Sequence, residues 1–237
     1  MARKPRFNLI GVPQHVVQRG NNREPCFYAE DDYQFYLDCL KEFSGKYNCL
    51  IHAYVLMTNH VHMLVTPQQG NAVSKMMQSV GAKYVRYINK IYKRTGTLWE
   101  GRYKASLVDT NNYFLVCMCY IELNPVRASM TEVPSEYKWS SYRANAYADN
   151  VDCITCHPIY MALSDAKEER LYNYRELFSN ALNYEQLHDI RASLNQELVL
   201  GSSRFKEKIE IMINRRVVPG KAGRPSVKEV QGLYYVY

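Results

Sequence analysis

The chain has 237 residues, 47% of them hydrophobic and 22% charged; this excludes a disordered chain and allows one large domain, or a domain with an appendage. Its formal charge of +7 and its 21 tyrosines suit a polyanionic partner, since cations hold phosphates and aromatic faces stack on bases. No run approaches the roughly 20 apolar residues of a membrane span, and the basic start Met1-Ala2-Arg3-Lys4-Pro5-Arg6 lacks the apolar stretch of an export signal, so a cytoplasmic protein is expected.

In chain order, residues 9–19 read as a strand that ends at the turn signal Gly20-Asn21-Asn22. Over residues 31–47, Phe35, Tyr36, Cys39, Leu40 and Phe43 recur at helical spacing, behind an acidic first turn of Glu30, Asp31 and Asp32. Two apolar runs, residues 49–57 and 60–66, flank Thr58-Asn59 and predict a hairpin. A second helix over residues 72–94 carries the apolar stripe Val73, Met76, Met77, Val80, Tyr84, Ile88 and Ile91. A short strand at residues 106–109 and a third helix at residues 112–123 follow, the latter ended by Pro125. The order βαββαβα predicts an α+β fold with a mainly antiparallel, ferredoxin-like sheet and helices on one face. The character changes beyond residue 139, where a loop-rich stretch precedes helices at 168–177, 184–194 and 203–214. Residues 1–147 are thus read as a catalytic domain and residues 148–237 as a helical, basic extension.

Chemistry concentrates in two places. His60 and His62 stand two apart on a strand, so both imidazoles share a face and are poised to hold one ion. Val61, Met63 and Val65 point the opposite way, into the core. Tyr120 and Asn124 stand four apart, so they share a helix face. A tyrosine can act as a covalent nucleophile, and an asparagine carbonyl can complete an ion site. A divalent cation on His60, His62 and Asn124 would neutralise charge on a phosphodiester while Tyr120 attacks it, leaving a phosphotyrosine and a free 3′-hydroxyl. Magnesium prefers oxygen ligands and manganese accepts imidazoles more readily, so Mg²⁺ and Mn²⁺ both stay open.

These residues sit in blocks with a family likeness. His60-Val61-His62, preceded by Tyr54-Val55-Leu56-Met57-Thr58-Asn59, resembles the HUH motif of single-tyrosine transposases of the IS200/IS605 type. Tyr120-Ile121-Glu122-Leu123-Asn124-Pro125-Val126-Arg127 is closer to the REP-associated tyrosine transposases. So are His15-Val16-Val17-Gln18-Arg19-Gly20-Asn21-Asn22-Arg23 and Leu98-Trp99-Glu100-Gly101-Arg102-Tyr103-Lys104. The likeness covers residues 7–145. It implies a ferredoxin-like core that cleaves and joins single-stranded DNA beside a hairpin through a 5′-phosphotyrosine, with Tyr120 as nucleophile and His60 and His62 as metal ligands. Asn124 falls where relatives carry a Gln or Asn ligand. The small insertion-sequence transposases have no counterpart of the region after residue 147, so neither its role nor a monomeric or homodimeric state carries over.

Arg19, Arg23, Arg102 and Lys104 flank the expected site and are candidate phosphate contacts. Between residues 204 and 228 eight basic residues face only Glu207 and Glu210, and Arg215, Arg216, Lys221 and Arg224 there are candidate DNA contacts; Gly223-Arg224-Pro225 is similar to a minor-groove arm. Cys153-Ile154-Thr155-Cys156-His157 has the C-x-x-C-H spacing of haem attachment or of half a zinc site, but lacks an export signal and a second ligand pair. The seven cysteines show no disulfide framework. Two rival readings remain at this point: a non-catalytic DNA-binding or regulatory protein that retains the fold, and a metal-dependent hydrolase that uses water as nucleophile.

Overall fold

Two crossover connections organise the molecule, as seen in a computed structural model that describes residues 6–179 and 182–217. Strand β1 (Gln14–Arg19) leads through helix α1 (Glu30–Lys46) to β2 (Cys49–Met57); a two-residue turn returns the chain as β3 (His60–Pro67), and helix α2 (Ala72–Ile91) carries it to β4 (Lys104–Val108). The sheet order is β2-β3-β1-β4, antiparallel at each of these junctions. This is the ferredoxin-like α+β plan that the element order predicts. Parallel crossovers in one sheet take the same hand, which sets α1 and α2 on the same face.

That face buries Val16, Val61, Met63 and Val65 of the strands against Leu40 of α1 and Met76, Val80 and Tyr84 of α2. The alternation of β3 is as expected, with its even-numbered side chains turned away from this core. Helices nevertheless occupy both faces of the sheet. The placement on one face holds for α1 and α2, whereas α3 (Thr110–Glu122) crosses the opposite face and packs Phe114, Cys117, Met118 and Ile121 against Val55 and Leu64. The reason is that β2 is apolar on both sides: Ala53, Val55 and Met57, joined by Leu64 of β3, need cover on this one.

The boundary expected near residue 147 does not interrupt this second core. Short helices α4 (Asn124–Arg127), α5 (Tyr142–Tyr147) and α6 (Pro158–Met161) are followed by α7 (Lys167–Ser179), α8 (Tyr184–Gln196) and α9 (Ser203–Ile213). Tyr160, Tyr174 and Ile190 from these elements join the α3 cluster. Strand β5 (Val199–Leu200) pairs in parallel with β4, so the sheet is five-stranded and mixed at its edge rather than wholly antiparallel.

Local chemistry moves several element ends. β1 starts later than the apolar run suggests because Gly11 adopts φ +73° and Pro13 follows it, forming a turn. α2 stops at Ile91, with Lys93 in the left-handed region (φ 50°). α3 begins at Thr110 because the Asp109 carboxylate accepts the Asn111 N–H. Pro125 does not end the helical path; it occupies the opening turn of α4, a position that requires no N–H.

Candidate active site

The second face of the sheet, under α3, gathers the polar groups. The antiparallel register pairs Arg19 with His60 and Val17 with His62, so His15, Val17 and Arg19 share this face with His60 and His62. The His60 and His62 ring centroids lie 5.0 Å apart. Each ring has a partner for Nδ1: His60 Nδ1 lies 2.6 Å from Asn59 Oδ1, and His62 Nδ1 lies 2.9 Å from His15 Nε2. With both Nδ1 atoms protonated and donating, Nε2 of each ring is left as a lone pair, the arrangement seen when a second partner orients a ligating histidine. Burial, then the Arg19 charge, lowers the His60 pKa to about 4. Burial pushes His62 well below its usual value as well, with His15, His60, Arg127 and Arg19 adding to it. Both rings therefore stay neutral at pH 7, the state that metal binding requires.

Tyr120 comes from the opposite side. Its ring meets His15 edge-on at 5.7 Å and His62 at 6.1 Å between centroids. Asn124, one turn on, donates both amide hydrogens to the carbonyls of Tyr120 and Ile121 at 3.1 Å, which leaves Oδ1 as its acceptor. Arg127 lies beneath the pair, with its guanidinium carbon 4.2 Å from the centroid of the Tyr120 ring and Nη2 donating to the Tyr120 carbonyl at 2.7 Å. Its Nη1 is buried without a hydrogen-bond partner. Glu122 pins the other side of α3, accepting from Ser141 Oγ (2.6 Å), Asn145 Nδ2 (2.7 Å) and the Tyr174 hydroxyl (2.7 Å). Burial raises its pKa to about 7 even against those three donors.

His60, His62, Tyr120 and Asn124 open into one cleft of about 970 Å³. Arg19, Arg23, Arg102 and Lys104 line the same cleft, so eight residues singled out from the sequence meet in space. Arg215 and Arg216 do not line it; Arg215 instead stacks its guanidinium 4.7 Å over Phe7. Lys221 and Arg224 lie outside the described residues. The cleft also receives side chains with no signal in the sequence pattern. Arg191, Asn195 and Gln196 come from α8, and Arg6 pairs with Glu197 at 3.1 Å. His15 and Arg127 were likewise missed as functional candidates. Arg127 could have been found, since it falls seven residues from Tyr120, two turns along the same helical face. The position of His15 depends on strand register, which residue spacing does not give.

Among the described residues no three His, Cys, Asp or Glu side chains converge as a metal site. An ion at His60 and His62 would therefore draw its further ligands from the Asn124 carbonyl and from non-protein oxygen. Two neutral imidazoles with oriented Nε2 atoms and a free amide oxygen fit a divalent cation, and fit manganese better than magnesium. The Cys153–His157 segment has a structural role. His157 Nδ1 accepts the Ile159 N–H and its ring stacks on Phe114 at 4.0 Å, while Cys153 is buried and Cys156 exposed. No helix among the described residues is long and apolar enough to cross a membrane.

Comparison with known proteins gives residues 10–124 as a match to the family described as "Transposase IS200 like". No curated protein matches the chain. A solved structure of a REP-associated tyrosine transposase bound to a REP hairpin aligns at 17% identity and TM-score 0.54, covering 67% of this chain and 90% of that one. A putative transposase from Deinococcus radiodurans aligns at 16% identity over 58% of this chain and 96% of its own, with TM-score 0.34. The first likeness shows a shared fold; the second is too distant to carry an argument.

Proposed function

Because residues 10–124 match the family described as "Transposase IS200 like", we propose that this chain is a divalent-metal-dependent transposase that cuts and rejoins single-stranded DNA through a 5′-phosphotyrosine on Tyr120. The observation that carries the reading is the meeting of Tyr120 and Asn124 with His60 and His62 in one cationic cleft. Tyr120 Oη attacks the scissile phosphorus in line, forming the Oη–P bond as the P–O3′ bond breaks. The phenolic proton leaves to solvent, and the departing oxygen takes up a proton to become a 3′-hydroxyl. Attack by another 3′-hydroxyl on the phosphotyrosine reverses the step and joins a new strand.

His60, His62 and Asn124 would hold a divalent cation, which would supply Lewis-acid neutralisation of the phosphate charge. Arg19, Arg23, Arg102 and Lys104 hold backbone phosphates along the cleft, fixing register without reading sequence. The solved neighbour of similar fold is bound to a REP hairpin, which makes a hairpin-forming repeat the first DNA to test. Arg215, Arg216, Lys221 and Arg224 add grip on DNA outside the cleft. The setting is the bacterial cytosol and nucleoid.

The test is to incubate labelled hairpin strands with the full chain and Mn²⁺ or Mg²⁺, then separate the products under denaturing conditions. Label retained on wild-type protein and lost from Tyr120→Phe is the expected result, with cleavage down by at least about 10³-fold in the variant. Cleavage that survives in Tyr120→Phe would instead indicate a hydrolase using water. Binding without cleavage or adduct under either metal would indicate a regulatory DNA-binding protein.

A further inference from the structure

Helix α8 lies outside the family-matched residues, yet it builds one wall of the cleft. Ile190 is fully buried and Leu194 nearly so, and Asp189 accepts the Tyr113 hydroxyl of α3 at 3.1 Å. These contacts hold the helix against α3 and the sheet edge, which fixes the face between them. On that face Arg191 and Asn195 stand one turn apart, and both line the same cleft as Arg19 and Arg102.

Arg191 is exposed and has no acidic partner among the described residues. Asp189, the carboxylate nearest to it in sequence, accepts from the Tyr113 hydroxyl, and Glu197 at the end of α8 is engaged by Arg6. Burial, with the Arg191 charge adding to it and Tyr120 opposing, lowers the Arg127 pKa to about 10. Two guanidinium charges therefore act on one another near the expected nucleophile, and Arg191 is the one that lines the cleft. An arrangement of this kind is stabilised by an anion, and in a cleft of this size and sign a phosphate is the matching group.

We propose that Arg191 binds a backbone phosphate of the strand lying in the cleft, so that the C-terminal segment supplies one wall of the substrate site. The inference rests on the single-stranded DNA reading above. It extends the phosphate-binding set of Arg19, Arg23, Arg102 and Lys104 to a helix outside the family-matched residues.

Anisotropy of a labelled hairpin oligonucleotide, titrated with full-chain protein in EDTA across a salt series, tests it. Arg191→Ala should weaken binding by about tenfold at low salt and reduce the slope of log K against log salt by about 0.7, the value for one phosphate on a single strand. Arg191→Lys should keep the slope. Arg143→Ala, whose guanidinium pairs with Asp149 away from the cleft, should change neither. An Arg191→Ala protein with wild-type affinity and slope contradicts the proposal. Parallel adduct assays separate the two readings: wild-type binding without an adduct overturns the transposase chemistry, an adduct with unchanged Arg191→Ala binding overturns the role of Arg191, and no wild-type binding overturns both.

Discussion

Tyr120 owes its aim to Arg127. The guanidinium spans the ring face and the carbonyl of the same residue, so both the helix end and the phenol plane are held by one side chain. Arg127→Met keeps the aliphatic bulk and removes both contacts. Its predicted effect is a loss of about 10²-fold in adduct formation with little change in strand affinity, because misplacement of a nucleophile acts on the chemical step. Arg127→Lys restores charge without the planar stack, and should recover only part of the rate. Equal loss of binding and rate would assign Arg127 to the substrate instead. His52 tests the fold. Its Nδ1–H donates to the Thr155 carbonyl at 2.7 Å and its Nε2 accepts from Thr66 Oγ1 at 2.9 Å, a pattern that needs the neutral ring. Burial lowers its pKa to about 4, so its stabilisation is complete above pH 6.5 and is lost as pH falls toward 4. The contribution is roughly 3 kcal/mol. Urea unfolding at pH 7.5 and 4.5 should show a smaller drop for His52→Gln than for wild type. Equal drops would remove His52 from the pH response.

The β2–β3 hairpin is held from outside itself. The Thr58 carbonyl accepts from Cys26 and Phe27, the Asn59 carbonyl accepts from Gly20, and Asn59 Nδ2 donates to the Arg23 carbonyl. The same Asn59 side chain accepts from His60, so the 20–27 loop sets the tilt of a candidate ligand. Gly20 is required there by close approach: a Cβ would run into the Glu24 carbonyl oxygen and sit 3.3 Å from that of Asn59. Gly20→Ala should cost about 1–3 kcal/mol of stability and weaken Mn²⁺ binding, read by calorimetry. Unchanged unfolding and unchanged Mn²⁺ affinity would detach this loop from the site. On the other side, Glu122 ties α3 to α5 and α7 through three hydrogen bonds. The tyrosine helix is therefore braced by residues far along the chain.

Much of this architecture is legible in the chain. The alternation in residues 60–66 gives strand β3 and puts His60 and His62 together, while helical spacing puts Asn124 beside Tyr120. Those patterns are local, and local periodicity determines which face a side chain takes. What brings the histidines of β3 beneath the tyrosine of α3 is packing on the second sheet face, through Val55, Leu64 and Phe114. A continuous apolar run cannot reveal that both its faces are covered. Nor can it reveal that α8, some seventy residues beyond Tyr120, closes the cleft with Arg191. The extension reads as a basic appendage by composition, yet Tyr174, Ile190 and Leu200 bury in the same core as α3. The central claim is a covalent bond between one named oxygen and DNA. After reaction with a hairpin strand and Mn²⁺, nuclease trimming and peptide mass spectrometry should find a nucleotide phosphate on Tyr120, and on no other of the 21 tyrosines. An unmodified Tyr120 in protein that has cleaved the strand would contradict the account.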